Sequence, residues 1–113
     1  MPFLSIETNT PPPANSGRLT AELSSAMAEW LGKPEAYVMV RLQRNPDMRF
    51  GGTTEPLAYC ELKSIGLPES RTAEFSEALC ERLEELLAVP RERVYIEFAD
   101  APRKLWGWNG GTF

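Results

Sequence analysis

The sequence predicts an α+β fold in which two pseudo-repeated βαβ units form a four-stranded mixed sheet with two helices on one face. Three observations predict it. The chain repeats itself at an offset of 56 residues, each copy carries an apolar stripe at helical spacing, and each stripe is followed by a proline and a short alternating run. Setting Leu23–Val40 against Leu79–Ile96 gives five identities: Leu23/Leu79, Glu29/Glu85, Leu31/Leu87, Pro34/Pro90 and Val38/Val94. Apolar character is kept at Met27/Leu83, Trp30/Leu86 and Val40/Ile96.

The elements follow in order. Pro2–Thr8 and its counterpart Ala58–Ser64 are strand-like. Pro11-Pro12-Pro13 ends the first strand, because such a run cannot lie inside a helix. Leu19, Leu23, Met27, Trp30 and Leu31 fall on one helical face, as do Phe75, Leu79, Leu83, Leu86 and Leu87. Ser16 is the candidate cap of the first helix, and Ser70 or Thr72 of the second. Pro34 and Pro90 stop the helices. Tyr37–Leu42 and Val94–Phe98 are the second strands of the two units, reached by right-handed crossovers. Residues 1–113 form a single domain, with halves at about 1–56 and 57–113. No helix remains to cover the other face of the sheet. Its apolar side chains need a partner, for which another copy of the chain is the simplest choice. The tail Leu105–Phe113 is aromatic and Gly-rich and is expected to pack as an interface or pocket wall.

Composition narrows the function. At 42% hydrophobic and 25% charged residues the chain is an ordinary globular domain. A net charge of −4 without a basic run argues against a nucleic-acid partner. No apolar stretch suits a membrane span, and the N-terminus lacks the features of a signal peptide. A cytoplasmic protein is expected, with any secretion by an unconventional route. Cys60 and Cys80 lie in apolar-periodic segments and read as small buried hydrophobes. With no histidine in the chain, a usual zinc site is not expected.

The absence of histidine gives weight to Pro2. Methionine before so small a residue is normally trimmed, which leaves the secondary amine of a rigid ring as the terminus. Buried, such an amine loses basicity toward neutrality and becomes a general base. Taken alone, a Met-Pro start is more often an ordinary terminal proline. By spacing alone Lys33 reads as a solvated lysine completing a helix C-terminus, and Ile65 as core.

The chain resembles the macrophage migration inhibitory factor family of the tautomerase superfamily over essentially its full length. The resemblance rests on Met1-Pro2, Gly32-Lys33-Pro34-x-x-Tyr37, Phe50-Gly51-Gly52-x-x-Glu55-Pro56, Ser64-Ile65-Gly66, Arg93-Val94-Tyr95-Ile96 behind Pro90, Asp100, and Gly107-Trp108-Asn109-x-x-Thr112-Phe113. It implies a homotrimer with active sites between subunits, no cofactor and no metal. It also implies keto–enol tautomerisation of small aromatic α-keto acids such as phenylpyruvate, or of D-dopachrome-like substrates. Pro2 then matches the catalytic base. Lys33, Ser64 and Ile65 match the substrate-carboxylate end, with the Ile65 backbone N–H as the contact. Tyr95 matches an aromatic position contributed across the subunit boundary, and Glu97 a position that bonds a phenolic hydroxyl of the substrate. Phe3, Tyr37, Trp106, Trp108 and Phe113 are expected to line the pocket. Glu97 stands where the family commonly has asparagine, and Trp106 where it has a small aliphatic. Phe3 and Lys63 also depart from the pattern. Leu57 takes the first position of a Cys-x-x-Cys motif found in some members, so thiol-redox activity is not expected. The family also admits a cytokine-like ligand that binds a receptor, a role no named residue here encodes. Another superfamily reaction on a small acid would call for arginines near Pro2, for which Arg41 and Arg44 are available.

Overall fold

The computed structural model describes residues 1–11 and 16–113, the side chain of Ser16 excepted. Strands β1 (Phe3–Thr8), β2 (Met39–Arg44), β3 (Ala58–Ile65) and β4 (Val94–Ala101) form one sheet in the order β2-β1-β3-β4. Helix α1 (Ser16–Leu31) connects β1 to its parallel neighbour β2, and α2 (Thr72–Leu87) connects β3 to its parallel neighbour β4. β1 and β3 run antiparallel and join the two units at the middle of the sheet. Both ends of the helices shift by the 56 residues of the repeat, as do the 3-10 turns Glu35–Tyr37 and Arg91–Arg93 that follow them. Among the described residues no helix is long and apolar enough to cross a membrane.

The core lies between the sheet and the helices. Leu4 and Ile6 of β1, with Cys60 and Leu62 of β3, meet Leu19, Leu23 and Met27 of α1 and Phe75, Leu79 and Leu83 of α2, all buried. These are alternate residues of the strands and one stripe of each helix, the two periodicities that the sequence carries. Cys60 and Cys80 are free and buried. Burial, and then the nearby Cys80, pushes the Cys60 thiol up to about 12, so it behaves as an apolar filler.

Each helix ends on a left-handed residue, Gly32 (φ 62°) and Ala88 (φ 56°). The Lys33 N–H then closes back on the Ala28 carbonyl at 3.0 Å, and the Ala88 N–H on that of Glu84 at 3.2 Å. Pro34 and Pro90 take extended conformations and lead into the 3-10 turns.

The structure corrects several expectations. β2 begins at Met39 rather than Tyr37, because the turn after Pro34 takes up Glu35–Tyr37. Neither Ser70 nor Thr72 caps α2. Pro68 opens a 3-10 turn (Glu69–Arg71) that runs into the helix, Arg71 holds the cap position without a side-chain bond, and the Thr72 hydroxyl donates back to the Glu69 carbonyl. The Ser16 cap and the Pro12 and Pro13 part of the strand stop lie outside the described residues. The uncovered sheet face is mixed rather than apolar. Met39 and Tyr95 stand 65% and 66% exposed on it, beside Glu7, Arg41, Gln43, Glu61, Lys63 and Glu97. Arg41 donates to Ser5 Oγ at 3.1 and 2.9 Å and lies over the Phe3 ring, while Lys63 pairs with Glu61 at 3.2 Å. The tail is not featureless either. Gly107–Trp108 (β5) and Gly111–Thr112 (β6) make a hairpin closed by Asn109 and Gly110, both at positive φ, the conformation a two-residue Asn-Gly turn favours. Leu105 is left 80% exposed.

Candidate active site

The site is built where the first strand starts. The Pro2 carbonyl accepts the Met39 N–H at 3.0 Å, which ties the amino end to the head of β2. Pro2 itself is fully buried. The turn after Pro34 delivers Tyr37 to the same place, its N–H bonded to the Pro34 carbonyl. The hairpin arrives from the other side, held by the Phe113 N–H on the Trp106 carbonyl at 3.2 Å. Together they enclose a cleft of about 320 Å³ that brings Pro2, Phe3, Tyr37, Trp106, Trp108 and Phe113 into one wall, with Met1 at its edge. Trp108 and Phe113 stack with centroids 5.4 Å apart, and Tyr37 meets Trp108 edge-on at 5.6 Å. Such offset and edge contacts hold an aromatic wall in one shape. Phe3 and Trp106, departures from the family pattern, belong to this wall.

The amino end is electrostatically unusual. Burial first, then the charge of Lys33, then that of Arg103, holds the Met1 α-amino group below its ordinary pKa of 8.0. Lys33 follows Gly32 at the end of α1, where the Schellman-type closure fixes its backbone. Its charge lowers the basicity of the Met1 amine from just beyond the end of the helix.

Other expected residues lie elsewhere. Ser64 is fully buried on the helix side of β3, and its hydroxyl donates to the Ile65 carbonyl at 3.3 Å. Its side chain is turned into the core by strand alternation. Ile65 ends β3 and is buried. The turn behind it is held by Asp100, whose Oδ1 accepts the N–H groups of Gly66 (3.0 Å) and Leu67 (3.1 Å), with Gly66 at φ 71°.

Tyr95 and Glu97 are not at the cleft of their own chain. Phe3 pairs with Lys63, which pairs with Ala99, whereas Tyr95 pairs with Tyr59, four residues further along the sheet. That spacing puts Tyr95 roughly 13 Å away along the strands and two strands across. It lines a second cleft of about 260 Å³ with Phe50, whose ring lies 4.6 Å from its own. The loop bearing Phe50 is pinned by Arg93, which donates to the carbonyls of Pro56, Phe50, Thr53 and Glu55. Arg41 is engaged by Ser5, and Arg44 closes β2 at the end opposite Pro2. Arg103, which with Lys33 acts on the amino end, had no signal in the sequence beyond its place between Asp100 and the aromatic tail.

The whole chain matches the family model for macrophage migration inhibitory factor, residues 1–113. It is 38% identical to the macrophage migration inhibitory factor homolog of Brugia malayi, over all of this chain and 99% of that protein. It is 35% identical to the macrophage migration inhibitory factor of Rattus norvegicus at the same coverage. Among solved structures, the homologue from Prochlorococcus marinus superimposes with a TM-score of 0.94 at 51% identity, over 98% of both chains. The Trichinella spiralis protein does so at 0.91 and 32%, over 98% of this chain and 99% of that one. Full-length agreement in sequence and in fold means that this chain belongs to the macrophage migration inhibitory factor family, with the fold of the tautomerase superfamily.

Proposed function

We propose that the protein interconverts the keto and enol forms of small aromatic α-keto acids of the phenylpyruvate type, with the amine of Pro2 as the base once Met1 is removed in the cytosol. The observation that carries this reading is the setting of Pro2: buried at the start of β1 in a cleft walled by aromatic rings, where burial and the charges of Lys33 and Arg103 already lower the basicity of the Met1 amine one residue ahead. A base near neutral pKa takes a proton from the carbon next to the keto group and delivers it to the enolate oxygen, and the reverse transfer regenerates the keto form. Lys33 holds the substrate carboxylate. The Ile65 N–H is the second contact to it, fixed by the Asp100-held turn. The aromatic wall takes the ring of the substrate.

A homotrimer completes the site in this reading. The mixed, exposed sheet face of one copy covers that of the next, and Tyr95 and Glu97, absent from the cleft wall of their own chain, reach that of a neighbouring copy. Glu97 then adds a negative charge near an anionic substrate and weakens its binding modestly.

The test pairs intact-mass analysis with enolisation of phenylpyruvate. Loss of Met1, with turnover that collapses in Pro2→Gly while the trimer persists, is the expected outcome. Full turnover with Met1 retained, where the Pro2 nitrogen is an amide, overturns the mechanism. A cytokine-like role is the second reading and rests on family membership. Receptor binding that survives Pro2→Gly distinguishes it.

A further inference from the structure

The two edges of the main sheet carry opposite charges. The strand order leaves β2 and β4 at its edges. Arg41 stands on β2 and Glu97 on β4, both exposed on the face that no helix covers. They fall in one row across the sheet, Arg41 beside Ser5, Ser5 beside Glu61 and Glu61 beside Glu97. Three strand spacings set them roughly 14 Å apart, so they cannot pair within one chain. Arg41 donates twice to the neutral Ser5 hydroxyl and rests over the Phe3 ring, 5.4 Å from its centroid, with donors to spare. The Glu97 side chain has no hydrogen-bond or ion-pair partner among the described residues, and Glu61 beside it is already paired with Lys63. Each edge is thus left with a charge that only another molecule can meet. Joining like edges of two copies gathers like charges at one seam, whereas a head-to-tail ring sets β2 of one copy against β4 of the next and brings opposite charges together. Arg41 also lies beside the Pro2 cleft, since Phe3 under its guanidinium lines that cleft, as does Met39 on the same strand.

We propose that Arg41 of one copy binds the Glu97 carboxylate of the next, and that this ion pair joins the copies head to tail and docks the incoming β4 beside the Pro2 cleft. The inference rests on the homotrimer reading above, in which Glu97 reaches the cleft of a neighbouring copy. A guanidinium already fixed by Ser5 and Phe3 loses little freedom on taking the carboxylate, so the pair selects one orientation of the partner at low entropic cost. It also offsets the negative charge that Glu97 brings toward an anionic substrate.

Two charge-reversed variants of the full-length chain, Arg41→Glu and Glu97→Arg, test this. Alone, each sets like charges against each other at every seam of its own trimer, and is expected to assemble about tenfold or more weakly in sedimentation velocity over a concentration series. Mixed, the two variants match at every seam but one, because a ring of three cannot alternate. Native mass spectrometry separates mixed from uniform trimers by mass, and the ratio of mixed to uniform is expected to exceed its statistical value by about tenfold. The double variant Arg41→Glu with Glu97→Arg reverses the pair in every copy and is expected to recover most of the assembly, so the test decides even where a single variant fails to fold. A statistical mixture, a single variant that assembles as tightly as the unaltered protein, or a double variant that assembles no better than the single ones overturns the proposal. So does an unaltered protein that stays monomeric. Phenylpyruvate enolisation by the unaltered protein is scored separately. Preferential mixing in a protein that does not enolise phenylpyruvate removes the base mechanism and leaves the ion pair standing, and enolisation with statistical mixing removes the ion pair alone.

Discussion

Removal of the Arg93 side chain is the perturbation whose cost the structure defines best. Its guanidinium donates to four backbone carbonyls of the loop between β2 and β3: Phe50 (3.0 Å), Pro56 (3.0 Å), Glu55 (3.1 Å) and Thr53 (3.3 Å). It also lies over the Phe50 ring, 5.2 Å from the centroid. The bonds to Phe50 and Pro56 are partly buried, and those to Thr53 and Glu55 are exposed. At about 1.5 kcal/mol for each partly buried charge-assisted bond, and near zero for the exposed ones, the bonds contribute about 3 kcal/mol. The cation–π contact adds about 0.5–1 kcal/mol. Arg93→Ala should therefore cost about 3–4 kcal/mol, and at about 4 °C per kcal/mol for a chain of this size lower Tm by about 12–16 °C. Thermal unfolding at fixed protein concentration measures it, since assembly makes Tm concentration-dependent. Arg93→Lys is the matched control, because three donors on one nitrogen cannot span four carbonyls. A fall of less than about 4 °C in the alanine variant, or an undiminished Tm in the lysine variant, refutes the reasoning that this one side chain holds the loop. The loss also reaches the second cleft, because the Phe50 ring packs against Tyr95.

Asp100→Ala releases the Gly66 and Leu67 N–H groups, and is expected to cost about 1–2 kcal/mol in denaturant unfolding and to raise KM for phenylpyruvate more than it lowers kcat. Asp100→Asn keeps an acceptor oxygen and should recover most of both, so a KM unmoved in both variants would remove Asp100 as a positioning residue. Ala88 takes at φ 56° the conformation that Gly32 takes in the first repeat, so Ala88→Gly should stabilise the protein by about 0.5–1 kcal/mol. A destabilisation there would contradict the account of how α2 ends. In the protein that retains Met1, the α-amino group should titrate with a midpoint below 8.0. Because the unfolded chain then binds more protons than the folded one between the two values, stability rises with pH through that window and is lost as pH falls. Acylation rates of the amine against pH report the midpoint. A value at or above 8.0, or one unchanged by Lys33→Ala, would exclude the burial and charge that depress it.

The repeat was the most legible feature of the sequence. Apolar spacing around Leu23 and Leu79, and the prolines at 34 and 90, are local signals, and they placed both helices and all four strands of the main sheet. Strand alternation likewise predicts which residues of β1 and β3 are buried, because a period of two does not depend on the rest of the chain. The wall of Pro2, Tyr37, Trp108 and Phe113 was accessible through the family resemblance, not through periodicity. Ser64 shows the limit of a motif: its neighbour Ile65 ends the strand, but alternation turns the serine side chain into the core. The Asn109-Gly110 hairpin had a two-residue signature, hidden within a tail that reads as merely aromatic.

Sequence alone determined the two-unit α+β architecture and a candidate base at Pro2, because helical and strand periods and the chemistry of a terminal amine are properties of short segments. Only the tertiary structure decided which charges act on the amino end. Lys33, just beyond a helix end, and Arg103, in a turn late in the chain, both lower the basicity of the Met1 amine, and the separation of Tyr95 from its own cleft is set by sheet register. Contacts between residues so distant along the chain are made by the crossovers and the strand order, and no local pattern encodes them.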